Sequence, residues 1–180
     1  MTQDQPVPDL WLLSDARNDA VLEQAIARLP KRSGFVFRHY HLDPDERAAR
    51  FAQLLPMLRD AGHWAIVADG FQRAEKWGAD GVYGGLDNIA PAEFRWIATA
   101  HDEAEIADAS EYGANAVMLS PVFPTRSHPG AETLGPARFH ELAALSKVPV
   151  IALGGMNAER AKELNWDRWA AIDGLSRASP

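Results

Sequence analysis

Short apolar runs alternate with segments of helical periodicity along most of the chain. Alternation of this kind predicts strands that are joined by helices. The predicted strands cover residues 10–13, 34–40, 64–68, 81–83, 96–100, 114–119, 148–153 and 169–172. The predicted helices cover residues 19–29, 44–62, 72–77, 102–112, 136–145 and 158–164. Strands separated by helices pair in parallel through right-handed crossovers, and eight such units close into a barrel.

The predicted fold is therefore α/β, a (β/α)8 TIM barrel that forms one domain over residues 1–180. A doubly wound open sheet is the alternative. With 180 residues the chain is short for a barrel, which typically has about 250. Segment 86–93 after the fourth strand is too short for a full helix, and the eight residues after Ile172 predict a missing or vestigial last helix. A flank left bare in this way would favour a homo-oligomer.

The charge balance and composition narrow the class of ligand. The chain has 18 Lys and Arg against 25 Asp and Glu, so we expect no nonspecific binding to nucleic acid, which requires a basic face. The sequence contains no run of about 18 apolar residues, so we expect no membrane span. Its N-terminus, MTQDQPVPD, lacks the apolar core of a signal peptide. Cysteine is absent, which excludes disulfides and thiolate chemistry, and we expect a cytoplasmic protein.

Polar residues gather where the predicted strands end, and in a barrel the chemistry takes place at the carboxyl ends of the strands. After the sixth strand, segment 120–128 (SPVFPTRSH) places two hydroxyls and two potential cations behind two prolines, a set that suits a phosphate. The other strand ends carry Asp15, Arg38, Asp69, residues 84–88, His101, Gly154, Gly155 and Asp173. This mixture suits a phosphorylated substrate with a divalent metal better than an acyl-transfer triad.

Four motifs stand in order along the chain: GADGVY at 78–83, TAHDEAEI at 99–106, PVFPT at 121–125 and PVIALGGM at 149–156. Together they resemble the thiamine phosphate synthase family, including its TenI-like branch of thiazole tautomerases. The resemblance runs from about Leu10 to Leu175. It implies a TIM barrel and a magnesium-assisted transferase of thiamine biosynthesis, which joins a hydroxymethylpyrimidine diphosphate to a thiazole phosphate and releases pyrophosphate. The alternatives are a TenI-like thiazole isomerase and a noncatalytic barrel that binds a ligand.

The resemblance also implies which residues bind the phosphate groups. Arg38 matches an arginine that contacts the pyrophosphate, and its alternative role is an ion pair with a neighbouring acid. Thr125 and Ser127 match two hydroxyls that contact the thiazole phosphate, and His128 stands where the family has lysine. The alternative for this loop is a proline-rich connector. Gly154 and Gly155 match a phosphate-binding pair, and their alternative is a tight turn.

A magnesium site is implied at the ends of the third and fourth strands. Asp69 matches one metal-binding aspartate, with a helix N-cap as its alternative role. The second metal aspartate falls on Asn88, with Asp87 beside it. An amide oxygen brings no negative charge, so we expect a weakened Mg²⁺ site. The alternative is an ordinary turn over residues 84–88.

His101 matches the histidine proposed as acid and base in the TenI-like tautomerases. An imidazole can both accept and donate a proton at neutral pH, and the alternative for His101 is a surface residue paired with local acids. Asp173 stands where the family has a phosphate-binding serine, and a carboxylate there repels phosphate unless a cation such as Arg168 or Arg177 neutralises it.

Three further family positions are replaced, and they motivate the noncatalytic alternative. Val36 and Tyr40 stand in place of a glutamine and a lysine that flank the arginine, and Ala68 stands in place of an asparagine.

Overall fold

Eight parallel strands close into a barrel in chain order, which confirms the predicted architecture. The computed structural model describes residues 5–176. The strands are β1 (Leu10–Leu13), β2 (Gly34–Phe37), β3 (Trp64–Val67), β4 (Gly81–Gly84), β5 (Arg95–Ala100), β6 (Ala116–Leu119), β7 (Val150–Ala152) and β8 (Trp169–Ala171). Each strand pairs with the next, and β8 pairs with β1 through Leu10 opposite Trp169. An open sheet, the alternative, is therefore excluded.

Helices connect the strands on the outside of the barrel. They are α1 (Leu22–Arg28), α2 (Pro44–Asp60), α3 (Phe71–Lys76), α4 (Glu103–Glu111), α5 (Gly135–Ala143), α6 (Ala158–Leu164) and α7 (Asp173–Ser176). Side-chain caps in the sequence start several of them. Asp43 accepts hydrogen bonds from the amides of Asp45 and Glu46 and forms a capping box at α2. None of the helices within residues 5–176 combines the length and apolar character that crossing a bilayer requires.

The connection after β4 and the segment after β8 are both short, as the lengths of these segments in the sequence predicted. Between β4 and β5 only a 3-10 turn forms, over Leu86–Asn88. The last helix is reduced, as far as the structure describes it, to the four residues of α7. Strand β2 ends at Phe37 rather than Tyr40, because His39 has a φ of 35°, which is incompatible with an extended strand.

The core has two layers, because side chains alternate between the two faces of each strand. Trp11 and Leu13 belong to the cluster that fills the barrel, whereas Leu12 packs in the cluster shared with the helices. Inside the barrel, the ring of Trp11 meets the ring of Trp64 edge-on at 5.9 Å. A Cβ added to Gly34 would lie 2.1 Å from the Trp11 ring, so this position requires glycine for space rather than for backbone freedom.

We predict that Gly34→Ala destabilises the protein by about 1–3 kcal/mol, because the added methyl overpacks the barrel interior. The measurement is the free energy of unfolding in urea. Gly85→Ala is the matched control, since a Cβ at Gly85 meets no atom within 4 Å. Equal unfolding free energies for the two variants would contradict the described packing of Trp11.

Candidate functional site

A cavity of about 640 Å³ opens at the carboxyl ends of the strands, within the size range of small-molecule sites. It brings together all of the residues that the sequence assigned to catalysis or phosphate binding. They are Arg38, His101, Thr125, Ser127, His128, Gly154, Gly155 and Asp173. The three residues assigned to the metal, Asp69, Asp87 and Asn88, are not among the residues that line it.

The lining of this cavity is positively charged although the whole chain is acidic. Within residues 5–176, four arginines face it: Arg17, Arg38, Arg126 and Arg160. Among the same described residues, Asp173 supplies the single carboxylate of the lining. A concave surface lined mainly by one sign of charge attracts ligands of the opposite sign. The cavity therefore suits an anionic ligand.

Arg38 has the contacts expected of an anion-binding group. Its Nε is buried and makes no hydrogen bond within residues 5–176. The guanidinium carbon lies 5.3 Å from the centre of the Tyr40 ring. The ion pair considered as its alternative role is not formed with any described acid. A buried guanidinium nitrogen without an acceptor gains most from a ligand that supplies one.

The loop after β6 is organised around its two hydroxyls. Thr125 Oγ1 accepts a hydrogen bond from the Ser127 amide at 3.2 Å. Ser127 Oγ accepts one from Arg17 Nη2 at 3.0 Å. Arg17 comes from the loop after β1, where its Nε also lies 3.3 Å from Asp15. Sequence reasoning missed Arg17, although it lies two residues after the strand-end acid Asp15. His128 lines the cavity from an exposed position.

Positions 154 and 155 need glycine because the loop after β7 comes close to the loop after β6. Their φ angles are 101° and 62°. A Cβ on Gly154 would lie 2.6 Å from the Pro121 Cα, and one on Gly155 would lie 2.4 Å from the Pro124 carbonyl oxygen. The Phe123 amide also donates to the Gly154 carbonyl at 3.1 Å. Only glycine satisfies both the backbone angles and the space, and the result is bare backbone at the cavity wall.

Arg160, which sequence reasoning also missed, adds a positive charge beside Gly154 and Gly155. It lies in the first turn of α6, and its Nη1 donates a hydrogen bond to the Gly155 carbonyl. Its guanidinium carbon lies 5.0 Å from the Phe123 ring. The signal in the sequence is its position five residues after Gly155, within the helix that follows the turn.

Asp173 is partly neutralised by two cavity arginines. Its carboxylate oxygens lie 3.7 Å from Arg17 Nη2 and 3.9 Å from Arg126 Nη1. Of the two arginines that the sequence suggested, Arg168 instead pairs with Asp9 at 2.9 Å, at the amino end of β8. Arg177 lies outside the described residues. The long distances at Asp173 provide weak pairing, because solvent screens partly exposed charges.

His101 pairs with a local acid and also lines the cavity. Its Nδ1 lies 2.9 Å from Glu105 Oε2, and its amide donates to the same oxygen at 2.6 Å. The side chain is 57% exposed. The pairing with Glu105 matches its alternative role, whereas its place in the cavity wall is what proton transfer to a ligand requires.

Asp69 has both of its oxygens occupied by protein donors. Oδ2 lies 2.6 Å from Arg47 Nη1 and 2.6 Å from Arg73 Nη1, and Oδ1 accepts the Gly70 amide. Burial alone would raise the pKa of Asp69, but the hydrogen bonds of Arg73 and Gly70 and the charges of both arginines hold it below its ordinary value. The helix cap of α3 is Gly70 rather than Asp69. Asp69 therefore braces two arginines.

The remaining donors of the expected magnesium site lie on the 3-10 turn after β4. A Cβ on Gly84 would come within 2.2 Å of Asn88 Oδ1, so the Asn88 amide packs against Gly84. Within residues 5–176, no three His, Asp or Glu side chains are grouped closely enough to hold a metal ion. One doubly paired carboxylate and one packed amide do not fit a preformed Mg²⁺ site, which needs free carboxylate oxygens.

Tyr83 also lines the cavity. Burial raises the pKa of its phenol to about 12, although the charge of Arg38 opposes this. Tyr83 therefore remains neutral at physiological pH and offers a hydroxyl rather than a titrating group.

The sequence is similar to those of known proteins. A model of the family described as thiamine monophosphate synthase matches residues 11–175. The thiamine-phosphate synthase of Chromobacterium violaceum is 35% identical over 175 residues, which cover 91% of this chain and 83% of that protein. The thiamine-phosphate synthase of Xanthomonas campestris pv. campestris is 31% identical over 178 residues, which cover 92% of this chain and 86% of that protein.

A solved structure shares the architecture. The thiamine phosphate pyrophosphorylase from Pyrococcus furiosus superposes with a TM-score of 0.79 at 22% identity, covering 95% of this chain and 88% of that chain. At this identity the likeness supports the barrel fold.

We predict that Asp69→Asn lowers the free energy of unfolding by about 1–3 kcal/mol at neutral pH, because it leaves Arg47 without its buried counter-charge. Since the folded pKa of Asp69 lies below the ordinary 3.8, the ionised carboxylate stabilises the fold above that pH. The difference between wild type and variant should therefore shrink as the pH falls below about 4. Urea unfolding at several pH values measures it.

Asp87→Asn is the control, since Asp87 is an exposed residue of the 3-10 turn. If Asp69 held a metal instead, added magnesium chloride would stabilise the wild type and leave Asp69→Asn unchanged.

Proposed function

The chain belongs to the thiamine monophosphate synthase family, and we propose that it is a transferase of thiamine biosynthesis which joins a hydroxymethylpyrimidine diphosphate to a thiazole phosphate. The products are thiamine phosphate and pyrophosphate. The observation that carries the proposal is that Arg38 and the loops after β6 and β7 open onto one cavity. Two anionic reactants then have separate anion-binding groups in a shared space.

Arg38 is proposed to hold the diphosphate of the pyrimidine substrate. A planar guanidinium binds phosphate oxygens through two parallel hydrogen bonds. Negative charge grows on the diphosphate as it leaves, and a fixed cation beside it lowers the free energy of the transition state. The ring of Tyr40 lies 5.3 Å from the guanidinium carbon, and Tyr83 is near enough for the charge of Arg38 to act on its phenol.

The opposite side of the cavity is proposed to hold the thiazole phosphate. Thr125 and Ser127 offer hydroxyl donors, and Gly154 and Gly155 offer backbone close to the ligand. Arg17, bound to the Ser127 hydroxyl, supplies positive charge where the family has a lysine at the position of His128. Holding the two reactants in one orientation converts a bimolecular step into an intramolecular one, which is a large part of such catalysis.

A magnesium requirement remains a prediction. When bound, Mg²⁺ would neutralise phosphate charge, but Asp69 is paired with two arginines, the Asn88 amide packs against Gly84, and no three candidate ligands are grouped together within residues 5–176. The roles proposed for the arginines do not depend on it.

Cytoplasmic location and self-association also remain predictions. Leu86 and Ile89, beside the shortened β4–β5 connection, are 46% and 41% exposed and are candidates for a subunit contact.

A thiazole isomerase is the second candidate, and the position of His101 favours it. The imidazole lines the cavity while Glu105 orients its Nδ1. This leaves Nε2 for a proton transfer. The noncatalytic alternative predicts that the cavity binds phosphate esters without turnover.

We predict that the purified protein forms thiamine phosphate from the two substrates, and that Arg38→Ala lowers kcat/KM for the pyrimidine diphosphate by about 10- to 100-fold, the value of a charge-assisted contact. The assay follows thiamine phosphate by fluorescence after oxidation. The control is Arg138→Ala, because Arg138 pairs with Glu141 on the outer surface of α5. Absence of product at high enzyme concentration overturns the synthase proposal, and unchanged kinetics in Arg38→Ala overturn the role of that residue.

We predict that His101→Ala lowers turnover by about 100-fold if the imidazole transfers a proton. Synthase activity and thiazole isomerisation are measured in parallel on the same preparations, with Glu105→Ala as the variant that removes the hydrogen bond orienting the ring. A loss confined to isomerisation would favour the second candidate. Unchanged rates in both reactions would remove His101 from the chemistry.

A further inference from the structure

A series of hydrogen-bonded polar side chains ends on the backbone of Arg38. It consists of Ser14 at the end of β1, His39 after β2, and Asp19 at the start of the 3-10 turn before α1. Ser14 and His39 have no exposed surface. Ser14 Oγ lies 2.7 Å from His39 Nδ1, and His39 Nε2 lies 2.8 Å from Asp19 Oδ1. The backbone amide of Arg38 donates to the same Ser14 oxygen at 2.8 Å.

One arrangement of protons gives every group in these contacts a partner. Because the Arg38 amide is a donor, Ser14 Oγ accepts it and can donate its own hydrogen to His39 Nδ1. His39 Nε2 then carries the ring proton and donates it to Asp19. This arrangement needs a neutral imidazole. Burial lowers the pKa of His39 more than the hydrogen bond and charge of Asp19 raise it, and the nearby His41 and Arg50 lower it further.

The three residue types are those of a nucleophilic triad, but the geometry excludes that use. Ser14 Oγ has no exposed surface, is not among the cavity-lining residues, and already accepts a backbone amide. A nucleophile must reach a substrate. The series of hydrogen bonds ends instead on the backbone amide of Arg38, whose guanidinium lines the cavity.

The backbone at this point needs support. His39 has a φ of 35°, which a non-glycine residue rarely adopts and which the surrounding contacts must stabilise. Its ring stacks on Phe37 at 4.6 Å, and both ring nitrogens are bonded. On the other side of Arg38, Arg47 Nη2 donates to the Arg38 carbonyl at 3.0 Å. The amide and the carbonyl of Arg38 are thus both held by side chains.

We propose that Ser14, His39 and Asp19 form a positioning relay that fixes the backbone of Arg38 and thereby aims its guanidinium at an anionic ligand in the cavity. The inference rests on the proposed function only in so far as Arg38 binds a diphosphate. It assigns to each of the three residues an indirect role through Arg38. Each relay hydrogen bond is worth about a 3- to 10-fold change in binding when its net contribution is expressed as an affinity.

The test uses the full chain and inorganic pyrophosphate as the probe, with binding measured by calorimetry. We expect Ser14→Ala and Asp19→Ala to weaken pyrophosphate binding by about 3- to 10-fold. Asp19→Asn should restore most of the affinity, because its amide oxygen still accepts the His39 proton. Glu23→Ala is the matched control, since Glu23 binds the same Arg50 as Asp19 but does not touch His39. Where Ser14→Ala does not fold, Asp19→Ala decides, because the Asp19 side chain is 38% exposed.

Steady-state kinetics separate positioning from general destabilisation. The relay variants should raise KM for the pyrimidine diphosphate while KM for the thiazole phosphate stays unchanged. Pyrophosphate binding that is lost in Arg38→Ala but intact in every relay variant overturns the relay and leaves the proposed function standing. Relay-dependent binding without any thiamine phosphate overturns the proposed function and supports the relay. Pyrophosphate binding that is absent, or unaffected by Arg38→Ala, overturns the relay.

Discussion

Closure of eight parallel strands around an apolar interior is the constraint on which the rest of the molecule depends. The strand ends can form a single rim only if every strand runs in the same direction and β8 meets β1. The interior packing of Trp11 against Gly34 and Trp64 fixes how closely β1, β2 and β3 approach. Residues that are more than a hundred positions apart in sequence, such as Arg17 and Ser127, then come within hydrogen-bond distance.

The loops on this rim are held in place by different contacts. The β6 and β7 loops fit together because two glycines leave no side chain between them and Pro121 or Pro124. The β2 end is held by two side chains, Ser14 after β1 and Arg47 on α2, which bind the amide and the carbonyl of Arg38. Binding groups held this way lose little conformational entropy when a ligand arrives, which favours tight and specific binding.

Most of the fold and part of the site were predictable from the sequence, because they depend on local patterns. Apolar runs located all eight strands, and the predicted phosphate contacts Thr125 and Gly154 lie in the loops that follow β6 and β7. The end of β2 was not predictable, because the backbone of His39 is set by its hydrogen-bond partners Ser14 and Asp19, which are distant in sequence. Nor was the pairing of Asp69 with Arg47, since that contact joins a strand end to a helix 22 positions away.

The double pairing of Asp69 has a consequence for the local electric field. Two guanidiniums, those of Arg47 and Arg73, share one carboxylate, so the group carries a net charge of about one positive unit rather than a negative one. Arg47 also binds the Arg38 carbonyl, and the guanidiniums of Arg38 and Arg47 lie near the Tyr40 ring. The family resemblance predicts that Asp69 binds a metal ion at this part of the rim. Because of its two arginine partners, this part of the rim is instead positively charged. A diphosphate held by Arg38 would have part of its charge offset by the protein before any ion from solution joins it.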